Sequence, residues 1–214
     1  EVPGDEVYSE SSKAEFISAL MELECGLLLI VGMKGTGKTA LSMRLLDKYG
    51  ETGRELYAVG AGNLPDHIHE IEAVDEIPNG AAVVFDDTNI IFDNRSYFSA
   101  AGKYLLRLIT LHRHKNLIII ANTQQTSAVN KYLLQADALF IKPQNILASG
   151  FERDVVVAVA PEAVHAFAGM GIEEIRKYVY AISLSGYLPS YKGMVAYSPP
   201  PWYGEAQSKN KALV

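Results

Sequence analysis

The chain has 214 residues, 49% of them apolar, with a formal net charge of −6 and a single cysteine. That length is enough for one well-buried domain and too short for two ordinary ones. The acidic balance argues against a surface coated in basic charge for nucleic acid, although a channel needs positive groups only along its lining. Intramolecular disulfide bonding is excluded, and Cys25 beside an apolar run reads as a small core filler in a reducing, intracellular setting. The longest apolar run, 26–32, is far shorter than a bilayer-spanning helix, and the acidic opening residues are unlike the basic start of a signal peptide. The expectation is a protein that is not itself transmembrane.

The chain opens with helical periodicity over 11–24, where Phe16, Ile17, Leu20 and Met21 share a face, and then runs into 27–31, a strand buried on both faces. A helix is predicted over about 38–49, with Leu41, Leu45 and Tyr49 on one side and Gly50 as its stop signal. A short strand at 56–59 follows, then a buried strand at 81–85 that delivers Asp86 and Asp87. Residues 96–112 carry Tyr97, Ala101, Tyr104, Leu108 and Leu111 at helical spacing. Strands at 117–121 and 138–141 flank a short helix near 129–134, and Pro143 closes the second strand. The last third is less regular. It has a candidate strand at 155–159, a helix started by Pro161, and two runs, 178–183 and 194–197, suited to a hairpin. The Pro-rich end, 199–203, favours an extended conformation, and Trp202 and Tyr203 read as anchors onto a protein surface, a neighbouring subunit's for instance. Residues 199–214 read as a Pro-rich, extended tail whose polar stretch from Gln207 to Lys211 is expected to be mobile unless docked. Alternation of strands and helices is the pattern of a single α/β domain over 1–214, with a mainly parallel central sheet flanked by helices.

Gly32, Met33, Lys34, Gly35, Thr36, Gly37, Lys38 and Thr39 match the phosphate-loop pattern in full, between a buried strand and an amphipathic helix. A glycine-rich turn that binds nothing fits this context poorly. Glycines at 32, 35 and 37 let successive backbone N–H groups point into one concavity, and the helix beginning at Lys38, Thr39 and Ala40 adds the partial positive charge of its N-terminus. Lys38 is placed to reach the β- and γ-phosphates of ATP, or a related triphosphate, and the Thr39 hydroxyl to bind Mg²⁺. Lys34 is one residue too late to be the second lysine of the deviant loops of partitioning ATPases, where this chain has Met33.

A metal-associated carboxylate is expected at the end of a buried strand near such a loop, and Asp86 is the candidate, in part through water. Asp87 is positioned to orient or deprotonate the attacking water, or else caps the next helix. Glu72, Asp75 and Glu76 are the reserve candidates for the base.

The run from Arg113 through His114, Lys115 and Asn116 to the strand ending Asn122-Thr123-Gln124 resembles the FtsK–HerA superfamily of DNA-translocating ATPases. There an arginine precedes a buried strand ending in Thr-Gln. The resemblance covers about 27–142 and implies a RecA-like P-loop fold. It also implies that Arg113 is a finger reaching a neighbouring subunit's γ-phosphate and that Gln124 is a sensor of that phosphate or its water. A guanidinium stabilises charge on the transferring phosphoryl group, worth roughly 10³ to 10⁵ in rate. Arg107 and Arg95 are alternative fingers, and Arg113 also suits an ordinary cation at a helix C-terminus. The chain departs from the family pattern at two positions, which bear on the base and on any sensing by the neighbour of Gln124: Asp87 stands for the usual Glu, and Gln125 stands where a basic residue often follows the sensor glutamine.

Within that superfamily, the size and the ending from Pro200 to Lys209 are similar to the genome-packaging ATPases of icosahedral viruses with internal membranes. The implied protein is an ATP-hydrolysing motor that moves double-stranded DNA into a capsid, as a homo-oligomeric ring. Implied partners are capsid or membrane proteins at a portal vertex, and the implied location is the host cytoplasm or the virion. Lys103, Arg107, Thr110 and His114 form a modest basic stripe that suits DNA or a solvated helix face equally. The His67-x-His69 and His112-x-His114 pairs lack nearby cysteines and are poor zinc candidates. Two rival functions remain: a nucleotide-dependent switch or assembly factor that does not move DNA, and a small-molecule kinase, for which no compact Arg-rich lid is evident.

Overall fold

The computed structural model describes residues 10–71, 77–86, 109–110, 112–124, 135–143 and 161–204. Helix α1 (Glu10–Met21) leads into strand β1 (Gly26–Val31), and helix α2 (Lys38–Glu51) returns to β2 (Leu56–Val59). Strands β3 (Ile68–Glu70), β4 (Ala82–Phe85), β5 (Ile118–Thr123) and β6 (Ala138–Ile141) follow. Two short helices, α3 (Pro161–His165) and α4 (Ile172–Ile175), precede the hairpin of β7 (Tyr178–Ser183) and β8 (Lys192–Ala196).

The eight strands form one sheet in the order β3-β2-β4-β5-β1-β6-β7-β8. The first six are mutually parallel, and β7 and β8 extend the sheet antiparallel from β6. The mainly parallel α/β sheet expected from the sequence is present, and so is the terminal hairpin. β3 was not expected, because Ile68-His69-Glu70 offers only one buried side chain, Ile68, followed by two exposed ones at the sheet edge. Of the helix expected over 96–112, residues 109 and 110 are helical and His112 already lies in a turn, the rest being outside the described residues, as are the helix near 129–134 and the strand at 155–159.

Period-two alternation sends each central strand's side chains into two separate cores. Leu27, Leu29, Val31, Val83, Phe85, Ile119 and Ala121 enter one, with Ile109, Ala163 and Phe167. Leu28, Ile30, Val84, Ile118 and Ile120 enter the other, which is closed by Phe16 and Leu20 of α1 and by Leu41, Leu45, Leu46 and Tyr49 of α2. Completely buried runs in β1, β4 and β5 are therefore the signature of a sheet covered on both sides. Tyr49 is wholly buried, and its hydroxyl donates to the Leu20 carbonyl at 2.5 Å, fixing α2 to α1. Cys25 is half-buried just before β1.

This topology collects four strand ends at one edge. Val31 pairs with Thr123 of β5 on one side and with Ile141 of β6 on the other, while Phe85 of β4 pairs with Ala121. Gly32, Asp86, Gln124 and Lys142 each follow one of those strands. In open α/β sheets ligands bind beyond the carboxyl ends of the strands, at the point where strand order reverses.

Candidate nucleotide site

Residues 32–37 leave β1 as a loop and enter α2 at Lys38. Two glycines are sterically required. Gly32 is pressed so closely against β6 that a Cβ there would meet Lys142 Cβ at 2.5 Å. Gly37, the N-cap of α2, has φ of 94°, a left-handed conformation that other residues adopt only at a cost. Backbone hydrogen bonds from the start of the loop also hold it to the sheet: Gly32 N–H donates to Thr123 O at 3.3 Å and Met33 N–H to Pro143 O at 2.9 Å.

Inside the loop, the Met33 carbonyl accepts from Thr36 Oγ1 at 2.8 Å and from Lys38 Nζ at 3.0 Å. The ammonium of Lys38, a largely buried residue, is thus folded into the concavity, where a phosphate chain would compete for it. Lys34 and Gly35 are exposed at the rim, and Ala40 sits half-buried in the first turn of α2.

Asp86 is 5% exposed at the end of β4. Its Oδ1 accepts from Thr39 Oγ1 at 3.0 Å and from Asn122 Nδ2 at 2.5 Å. Asn122 also donates to Ser42 Oγ at 3.1 Å, and that hydroxyl donates in turn to Lys38 O and Thr39 O. A carboxylate and a hydroxyl at this separation are the hard oxygen donors that Mg²⁺ prefers, and the adjoining loop leaves the ion access to phosphate. The residues therefore fit a magnesium nucleotide. Thr39 and Asp86 would hold the metal and Lys38 the phosphates; when bound, the ion would neutralise charge on the transferring phosphoryl group.

Gln124 follows β5 directly beyond Thr123, whose carbonyl receives Gly32 N–H, so its backbone borders the loop. Asp87, the reserve bases Glu72, Asp75 and Glu76, the alternative fingers Arg95 and Arg107, Lys103 and Gln125 lie outside the described residues.

Arg113 lies at the other end of the sheet, before β5 begins. β5 alone separates it from the loop edge by roughly 17 Å at the usual strand rise. Its guanidinium donates to Asp137 Oδ1 at 3.3 Å and lies over the Tyr187 ring, 4.6 Å from the centroid. Asp137 is 1% exposed at its side chain and also accepts from Leu27 N–H at 3.0 Å. Arg113 cannot serve the phosphate loop of its own chain.

Four residues at the loop were not singled out in the sequence: Asn122, Lys142, Arg176 and Tyr197. Lys142 is wholly buried after β6, and burial lowers its ammonium pKa to about 7. It donates to Ile175 O at 2.7 Å and to Tyr178 O, and lies 4.7 Å from the Tyr197 ring centroid. Arg176 Nε donates to Gly35 O at 3.3 Å, and Tyr197 Oη donates to Gly37 O at 3.0 Å. Arg176 and Tyr197 come from the irregular last third and Lys142 from just beyond β6, and no local pattern connects any of them to the loop.

Trp202 and Tyr203 do anchor the tail, but on their own chain. Trp202 Nε1 donates to Asp47 Oδ1 of α2 at 3.1 Å, and His67 lies against the indole edge with ring centroids 6.2 Å apart. Tyr203 reaches the neighbourhood of Asp86, and burial, then that carboxylate's charge, push its phenol pKa up to about 12. His67 is thus committed to the tail, with Nε2 3.6 Å from Asp47. His112 Nδ1 lies 2.6 Å from Ile109 O. Among the described residues no group of three metal-ligating side chains comes together.

Strand order, phosphate loop and strand-end aspartate define the RecA-like fold of the P-loop ATPases. The chain is similar in structure to the genome packaging NTPase of Sulfolobus turreted icosahedral virus 2. In complex with sulfate that protein superposes with a TM-score of 0.57 at 11% identity, over 83% of this chain and 98% of that one. In complex with AMP the values are 0.55, 12%, 83% and 98%. The conjugation coupling protein TcpA of pCW3, with ATPγS, gives 0.53 at 13% identity over 87% of this chain and 64% of that one. This is a likeness of fold, and it is the fold that the resemblance over 27–142 implies. No protein-family model and no curated protein matches the sequence. No described helix is long and apolar enough to cross a membrane.

Proposed function

We propose that this protein is an ATP-hydrolysing motor that translocates double-stranded DNA, acting as a homo-oligomeric ring in genome packaging. The observation that carries the ATPase part is the Thr39–Asp86 hydrogen bond, which sets the two magnesium-binding groups side by side at the mouth of a glycine loop. Lys38 holds the β- and γ-phosphates, and Asp86 and Thr39 the metal. Asp87 is the candidate to activate water, and Gln124, at the loop's border, senses the phosphate or its water. The distance of Arg113 from its own loop supports a finger that acts across a subunit boundary, which requires a heterologous, ring-type contact. In that reading the ion pair with Asp137 and the stacking of Tyr187 hold the guanidinium extended and ready.

The motor part is supported by the fold shared with a viral genome packaging NTPase and a conjugation coupling protein. DNA would be held through its phosphates with little base readout, and capsid or membrane proteins at a portal vertex would anchor the ring. The test is displacement of a triplex-forming oligonucleotide from a linear duplex. ATP-dependent displacement by the wild type, absent in Lys38→Ala, is the expected result. Hydrolysis without displacement under any salt condition would point instead to a nucleotide-dependent switch or assembly factor.

A further inference from the structure

Two donors from the C-terminal part of the chain grip the outer side of the phosphate loop. Arg176, just past α4, donates from Nε to the Gly35 carbonyl at 3.3 Å, and Tyr197, just past β8, donates from its hydroxyl to the Gly37 carbonyl at 3.0 Å. Both occupy one flank, because a Cβ built on Gly37 would lie 2.9 Å from Tyr197 Oη and 3.6 Å from Arg176 Cα. The flank is braced from below. Lys142 donates to Ile175 O and Tyr178 O on either side of Arg176 and lies under the Tyr197 ring, while Tyr197 N–H donates to Lys177 O at 2.8 Å.

The consequence follows from peptide geometry. In a planar trans peptide the carbonyl and the following N–H point in opposite directions. A Gly35 carbonyl held outward by Arg176 turns the Thr36 N–H inward, and a Gly37 carbonyl held by Tyr197 and by Leu41 N–H does the same for Lys38. Those are the N–H groups an anion nest requires, and pinning their carbonyls removes the cost of ordering the loop when ligand arrives.

We infer that Arg176 and Tyr197 are positioning residues that hold the loop preformed for the polyphosphate chain of a nucleoside triphosphate. The inference rests on the nucleotide-binding reading of the loop. It makes the last strands of the sheet part of the phosphate site, although they lie far from the motif in sequence.

Steady-state hydrolysis of MgATP, with inorganic tripolyphosphate as competitor, tests it in wild type, Arg176→Ala, Arg176→Lys, Tyr197→Phe and Lys38→Ala. Loss of one hydrogen bond in a preformed anion site should raise KM and the tripolyphosphate inhibition constant about fivefold in Tyr197→Phe, and about tenfold in Arg176→Ala. kcat per folded protein should hold, and Arg176→Lys should recover part of the loss. A merely structural role would instead lower the active fraction, and so kcat, without moving KM. Wild-type KM and inhibition constants in both Arg176→Ala and Tyr197→Phe, with Lys38→Ala inactive, would overturn this inference alone. A wild type no different from Lys38→Ala would remove the nucleotide reading and this inference with it.

Discussion

Thr39 and Asp86, 47 positions apart in the chain, meet through a 3.0 Å hydrogen bond from hydroxyl to carboxylate at the carboxyl edge of the sheet. Neither is held by this contact alone. Thr39 is fixed by the first turn of α2, and Asp86 by β4 and by the 2.5 Å bond from Asn122. The pair is therefore already organised, which is what an electrostatic site for a metal would require if reorganisation is not to add to the barrier.

Asp86→Asn keeps the size of the side chain and removes its charge. Magnesium-dependent hydrolysis should fall roughly 10²-fold or more, since the metal supplies several kcal/mol of transition-state stabilisation. Binding of a fluorescent nucleotide in EDTA should persist. Parallel titrations with and without Mg²⁺ check this, and hydrolysis equal to wild type would remove Asp86 from the metal site.

Arg113→Ala should abolish turnover, by roughly 10³ or more, with little change in nucleotide affinity. It should also cost stability, on the order of 1 kcal/mol, because the buried carboxylate of Asp137 loses its cationic partner and keeps only the Leu27 N–H. Asp137→Asn separates the two effects: it should lower the melting temperature while retaining substantial hydrolysis. Loss of turnover in both variants in proportion to stability would make Arg113 a structural cation.

Lys142 gives a signed pH dependence. Burial lowers its folded pKa to about 7 from an ordinary 10.5, so between those values the unfolded chain binds the extra proton. Stability from this group therefore rises with pH above about 7 and levels off above 10.5, by up to about 1.4 kcal/mol per pH unit. Urea unfolding at pH 7, 8 and 9 should show a positive slope that Lys142→Met reduces. Equal slopes in the two proteins would contradict the assignment.

Trp202 is the only tryptophan, so intrinsic fluorescence reads the tail directly. Asp47→Ala removes the acceptor of its indole N–H and should red-shift the emission as the ring becomes wetter. An unchanged spectrum would mean that the indole is held without that bond.

The ATPase fold was legible because its determinants are local. β1, the glycine loop and α2 run consecutively, and the continuous apolar strands of a doubly covered sheet need no partner to be recognised. The place of Asp86 beside the loop followed from its position at the end of such a strand. Asn122 was passed over although it stands two residues before Gln124, since a strand-end asparagine gains meaning only when β5 is seen inserted between β1 and β4. Arg176, Tyr197 and Lys142 were invisible for another reason: they reach the loop through the antiparallel addition of β7 and β8 to β6, a pairing of distant segments that no short-range periodicity encodes. The docking of Trp202 was read correctly as anchoring, while its surface, α2 of the same chain rather than a neighbour's, depends on the course of residues 197–202.

The most direct test of the account is steady-state MgATP hydrolysis titrated with double-stranded DNA, with Lys38→Ala as the control for contaminating activity. Hydrolysis should depend on Lys38 and on Mg²⁺ and should rise strongly with DNA, the more so at low salt. Hydrolysis that is Lys38-dependent but indifferent to DNA across salt and protein concentration would contradict the motor and leave the nucleotide site alone standing.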